Sequence, residues 1–340
     1  VLPLGLLVLT AAALPDGPAL SPPTFTTGDE IVYVGEVHEA SERIDLPYRR
    51  KAAIEIRLFT LSVGQQGSDL AVLTQVRPLD DPQIAEAVKT VTGVVPDRSE
   101  APPAVRLELI RVDARGRVYR LTPPPGPPPI PLSARTPTAP PPPVPLDAPP
   151  DREIGMFVPL PEALPTTGET WMVNDPDPAR PPAVWQAKPP GIWNGAQVIE
   201  AAGLQQTTDW DEPKFGQTAW RRADRIWLSP VDGLARVVHR QIERKAGNDR
   251  IGWVVVQYEM KPPTPHRGES YLRVRKEIEH AYAFAATADP LLPQAVQLGS
   301  KRFELMIAAI ERYKKDHPAT AYREAVDAVL RRCEAAARGR

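Results

Sequence analysis

The stretch from Pro123 to Pro150, PPPGPPPIPLSARTPTAPPPPVPLDAPP, constrains this chain more than any other. Proline has no backbone N–H and a fixed φ, so such a run extends neither a sheet nor a helix. It also lacks the apolar mass of a core. It reads as a solvated, polyproline-like connector, with a docking motif for aromatic-groove domains as the sharper alternative. The chain holds 43 prolines among 340 residues, and those outside the block disfavour long helices around them. The connector divides the body. Residues 21–122 form a first β half, 123–150 the linker, 151–265 a second, Trp-rich β half, and 266–340 the C-terminal helices.

The two halves share landmarks in the same order. Thr26-Thr27-Gly28-Asp29-Glu30 leads into Ile31-Val32-Tyr33-Val34, and Thr166-Thr167-Gly168-Glu169-Thr170 leads into Trp171-Met172-Val173. Later, Val112-Asp113-Ala114-Arg115-Gly116 is matched by Val231-Asp232-Gly233-Leu234, each an Asp/Gly turn entering a new strand. Paired signals in one order point to an internal duplication.

Between them the periodicity is mostly two. Ile54, Ile56 and Leu58 share a face opposite Glu55 and Arg57, with Phe59 and Leu61 breaking the polar side. Further strands are expected over 69–76, 105–112, 196–208, 218–228, 234–243 and 250–260, and a short helix over 82–92. Neighbours of this kind pair as antiparallel meanders, so the expected fold is mainly β: two related curved-sheet halves that pack or close together. After residue 268 the period becomes helical. Helices are expected over 269–286, over 298–316 with Phe303, Met306, Ile307, Ile310 and Tyr313 on one face, and from a Thr320 cap to about Ala337. The last two form a helical hairpin, and HPATAYREAV is similar to the helix junction of tetratricopeptide-type hairpins.

Residues 1–20 read as a secretory signal peptide: an uncharged LPLGLLVLTAAAL, small residues, then Pro15-Asp16-Gly17. No Lys or Arg precedes the apolar run, and it is shorter than a membrane span. The expected location is extracytoplasmic, periplasmic or secreted, as a soluble or peripheral protein. The formal net charge of −1 gives no electrostatic case for nucleic acid. The lone Cys333 excludes an intramolecular disulfide and reads as a small buried hydrophobe.

Common catalytic signatures are absent: no G-x-S-x-G, S-x-x-K, H-E-x-x-H, G-x-G-x-x-G or phosphate loop. Glu277 and His280 share a helix face, but no second pair completes a metal site. They read as a solvated face or a helix–sheet hydrogen bond. No cofactor or metal is expected. All seven tryptophans lie in the second half. Trp210, Asp211, Trp220, Arg221 and Trp227 form the candidate ligand site, where flat rings supply apolar area and charges fix orientation. The bland alternative is that the tryptophans fill the core of a large sheet. Trp220 and Trp227 differ by an odd number, so they point to opposite faces of a regular strand.

Thr167-Gly168-Glu169-Thr170-Trp171, Thr218-Ala219-Trp220-Arg221-Arg222, Ile226-Trp227-Leu228-Ser229-Pro230 and the hairpin from Tyr313 to Ala325 together carry a resemblance. The chain resembles uncharacterised exported β-rich proteins of planctomycete-type bacteria, some of which continue into a thioredoxin-like domain. No C-x-x-C occurs among the 340 residues, so no redox activity is expected of them. The resemblance implies a β-rich envelope module without redox activity. The function expected is a non-catalytic binding or scaffold module for a cell-wall polymer, lipid or envelope protein. The alternatives are a hydrolase using Asp209, Asp211, Glu212 or Asp224, and an adaptor docking a redox or assembly partner through its hairpin.

Overall fold

Two antiparallel meanders meet edge to edge in one sheet. The computed structural model describes residues 18–43, 48–79, 103–121, 144–145, 156–175, 180–212, 218–294 and 300–338. Residues 1–17 of the expected signal, the helix expected over 82–92 and nearly all of the proline block lie outside them. The first meander is β1 (Asp29–Ser41), β2 (Tyr48–Gly64), β3 (Gly67–Leu79), β4 (Ala104–Val112), β5 (Val118–Arg120) and β6 (Val144–Pro145). The second is β7 (Thr170–Val173), β8 (Ala183–Trp193), β9 (Ala196–Gln206), β10 (Thr218–Leu228), β11 (Ala235–Ala246) and β12 (Asp249–Met260). The short β13 (Thr264–Pro265) pairs with the start of β1. Sheet order is β6-β5-β4-β3-β2-β1-β12-β11-β10-β9-β8-β7. The sheet is curved and unclosed, with β6 and β7 at its edges.

The joint is β1 against β12, from Tyr33 opposite Met260 to Ser41 opposite Gly252. Both Thr-Thr-Gly turns have the same geometry. Gly28 and Gly168 sit at φ 81° and 92°, a region that glycine enters without penalty. Each donates its N–H to the neighbouring strand, Gly28 to Thr60 and Gly168 to Ala187.

The alternation in β2 decides both faces of the sheet. Ile54, Ile56 and Leu58 point to the inner face, where they join Tyr33, Trp171, Trp185, Ile226 and Tyr258 in one core. Leu20, Phe25, Met156, Val158 and Leu160 cover this face. The Leu20 N–H donates to Pro165, so the folded body starts ahead of residue 21. Phe59 and Leu61, which break the polar side of the β2 pattern, point outward under the helices.

Two residues of the proline block do join the sheet. Val144 and Pro145 pair with Arg120 and Tyr119 as the outermost strand. An edge strand needs partners on one side only, so the missing N–H of Pro145 is tolerated there. The strand β8 has no forecast in the period-two reading, because Pro189 and Pro190 interrupt it. The chain keeps pairing by shifting register between Ala187 and Pro190.

Helix α1 (Glu269–Ala288) lies on the outer face of β2–β4, followed by a 3-10 turn (Leu292–Gln294), α2 (Ser300–Asp316) and α3 (Arg323–Ala337). Tyr271 and Tyr282 tie α1 to the sheet by donating to the Leu61 and Leu107 carbonyls at 2.8 and 2.9 Å. Phe303, Ile310 and Tyr313 of α2 and Val326, Val329, Leu330 and Cys333 of α3 are buried, as the helical period predicts. Glu277 is not on a solvated face. It is 1% exposed and accepts from the Thr320 N–H (2.8 Å), the Thr320 hydroxyl and Arg323 Nε (2.6 Å). One carboxylate thereby holds α1 to the turn between α2 and α3. No helix of the described residues is long and apolar enough to cross a membrane.

Candidate functional site

The outer face of the sheet changes character along its width. The helices cover β2–β4. The middle is more polar: Glu36 lies opposite Gln257, and in the next row Glu259 and Glu55 flank Val34 across β12, β1 and β2. Beyond it, β10 turns Arg221, Ala223, Arg225 and Trp227 outward, on the same side as the helices.

A bulge builds the aromatic centre of this region. Trp185 and Ala187 of β8 face inward, and strict alternation would place Trp193 inward too. Between Ala187 and Pro190, β8 advances three residues while β9 advances two. That extra residue flips the phase and turns Trp193 outward. An Asn194-Gly195 turn with both φ positive, 47° and 80°, then closes the hairpin. Trp193 thus meets Trp227 at 5.8 Å between ring centroids. Arg225 lies 5.0 Å from the Trp227 ring and is held by a fork to Glu200 (2.8 and 3.0 Å). That fork pushes the Arg225 guanidinium above its ordinary pKa.

An apolar row continues the surface. Met172 is opposite Val184, and Val184 opposite Leu204. They are 70%, 40% and 43% exposed and run inward from the β7 edge. Ile192, 72% exposed, directly precedes Trp193 in the strand and so points to the opposite face, outside this row.

Of the five residues singled out from sequence, Arg221 and Trp227 share the outer face of β10. Trp210 joins Arg221 but is 3% exposed, and its ring carries Arg221 at 4.6 Å and Lys245 at 4.3 Å. Arg221 also donates to Glu243 at 2.6 Å. Asp211 is exposed in the turn after Trp210. Trp220 points to the opposite face from Trp227, as the odd spacing requires. Trp171 and Trp185 stack at 6.3 Å in the inner core, where the Trp171 indole donates to Pro159.

The carboxylates of this region do not converge. Asp224 is on the inner face, 2% exposed, accepting from Arg240 Nε at 2.6 Å and paired with Arg222 Nε at 3.0 Å. A carboxylate so bound is an anchor between β10 and β11. Residues 213–217 lie outside the described set. Among the described residues, no group of three or more His, Cys, Asp or Glu side chains could hold a metal. Sequence reasoning passed over Trp193; the prolines that hid β8 are the signal that could have found it.

No family model matches the chain, and no curated protein matches it. Among solved structures it is similar to one described as an outer membrane lipoprotein-sorting protein domain from Vibrio parahaemolyticus. The match is 10% identical and covers 74% of this chain and 91% of that one, with a TM-score of 0.18. At that score the likeness carries neither fold nor function to this chain.

Proposed function

We propose that the chain is an extracytoplasmic binding or scaffold module of the cell envelope, and that its partner docks on the open outer face of β7–β11. The observation that carries this reading is the aromatic pair Trp193–Trp227, continued by the exposed row Met172, Val184 and Leu204. Exposed apolar surface of this extent, rimmed by charge, is a mark of interaction sites. Arg225 and Glu200 would orient a ligand lying on the rings. The inner face is filled by side chains of the same chain, which favours a partner on the outside over one enclosed by the sheet. Export of the chain and duplication of its halves belong to this proposal. The paired turns and the order of strands support the duplication.

The test is tryptophan fluorescence of the full chain titrated separately with cell-wall fragments and lipid vesicles. One class should shift the emission saturably, and Trp227→Ala should weaken that binding at least tenfold. No response to either class, or an undiminished response in the variant, would contradict the outer-face site.

A further inference from the structure

A second cluster lies at the foot of α1, away from the tryptophan face. We propose that Ser270, His266 and Glu30 form a nucleophilic site that cleaves small carboxylic esters. Ser270 Oγ is 2.8 Å from His266 Nδ1, and His266 Nε2 is 3.2 Å from Glu30 Oε2. The carboxylate can only accept, so Nε2 carries the imidazole proton and Nδ1 accepts from the serine hydroxyl. This is the hydrogen-bonded order of nucleophile, base and orienting carboxylate, which is recognised by geometry whatever the chain order or fold.

The cluster is built rather than accidental in its supports. The Glu30 side chain is 8% exposed, and Arg57 holds its other oxygen at 3.3 Å. The His266 ring is fixed edge-on against Phe59, 5.7 Å between centroids. Its backbone is pinned as well, since the His266 N–H donates to Gly28. Beneath it, Tyr322 packs edge-on against Phe59 at 6.0 Å, and its hydroxyl is buried with no hydrogen-bond partner among the described residues. Burial, and then the Glu30 carboxylate, push that phenol well above its ordinary range.

Ser270 is half-buried in the first turn of α1, within reach of solvent. Gly268 provides no side-chain cap there, and the Ser270 N–H is taken by the Arg267 carbonyl. In the proposed site the first-turn N–H groups of Glu269 and Tyr271 would serve as the donors to the developing oxyanion. In the reaction, Ser270 Oγ bonds to the ester carbonyl carbon as its proton passes to His266 Nδ1. The bond from that carbon to the alkoxy oxygen then breaks, and the alcohol leaves with the proton from Nδ1. Water, deprotonated by the same nitrogen, attacks the acyl-serine and releases the acid, returning the proton to Ser270. Glu30 is a positioning residue: it acts through the tautomer of His266.

The full chain should be incubated with a fluorophosphonate probe, with the adduct mapped by mass spectrometry. In that reaction Oγ bonds to phosphorus and fluoride leaves. Adduct on Ser270 is expected, lost in Ser270→Ala and formed about 100-fold more slowly in His266→Gln, the scale of a missing general base. Glu30→Gln should slow it too and shift the pH profile of labelling, which a purely structural role would not do. Unfolding curves show whether each variant is folded. Ser270→Ala removes one partly exposed atom, so loss of labelling there is read on a folded chain. An unlabelled wild-type protein, adduct on another residue, or equal labelling rates in wild type and His266→Gln would overturn the proposal. The assay to pair with it is p-nitrophenyl acetate hydrolysis, where a burst of one equivalent is expected and its absence counts against the acyl-serine.

Discussion

Gly35→Ala attacks the seam between the two meanders. Gly35 lies opposite Ile54 on one side and Tyr258 on the other, inside the β1–β12 joint. A Cβ added there would run into the Gln257 carbonyl and come within 2.5 Å of Tyr258 Cα and 2.6 Å of its Cβ. Real Cβ atoms keep about 3 Å or more, and the obstacle is backbone, so β1 and β12 must part locally. Overpacking of this kind costs about 1–3 kcal/mol, and each ladder hydrogen bond opened adds about 1 kcal/mol. A destabilisation of about 3 kcal/mol is expected, roughly a hundredfold in the unfolding equilibrium. Chemical denaturation read by tryptophan fluorescence measures it, because all seven tryptophans lie in the second half while the substitution lies in the first. Gly191→Ala is the control: nothing lies within 4 Å of its added Cβ, and a change within about 0.5 kcal/mol is expected. If Gly35→Ala unfolds like the control, the close seam is wrong.

Three other outcomes follow from buried groups. Asp224→Ala removes the carboxylate that Arg240 and Arg222 share inside the sheet and should cost about 3–5 kcal/mol in denaturant unfolding, whereas the pair Asp224→Leu with Arg240→Met should restore most of it. Glu277→Ala frees Arg323 and Thr320 from α1, and hydrogen exchange should speed up across α2 and α3 while the β1–β12 ladder keeps its protection. Burial, with the Glu277 carboxylate behind it, pushes the Tyr313 phenol up to about 12, and burial raises Tyr33, Tyr282 and Tyr322 as well. The folded chain therefore retains protons that the unfolded chain releases near pH 10. Stability is intact below that pH and should fall as pH rises towards 12, with Tyr313→Phe flattening the loss.

Sequence reading reached the strands and helices wherever one period ruled. The outward Phe59 and Leu61 looked like defects of a strand with one polar face, but they are the floor beneath α1. That second layer is long-range, and local pattern does not encode it. Prolines misled in both directions. In β8 a bulge absorbs them, and at Pro145 the sheet edge does. The opposed faces of Trp220 and Trp227 were legible because alternation is geometric. The meeting of Trp193 with Trp227 was not, since it depends on one extra residue in β8. Nor could spacing show Glu30 beside His266, because a fold must bring together residues far apart in the chain.

The most direct test of the outer-face account is hydroxyl-radical footprinting of the full chain, with and without a purified envelope fraction that binds it. Met172, Trp193 and Trp227 should lose reactivity on binding while Leu272 and Leu305, exposed on α1 and α2, keep theirs. Protection of the helices with an unchanged Trp193–Trp227 face would contradict it.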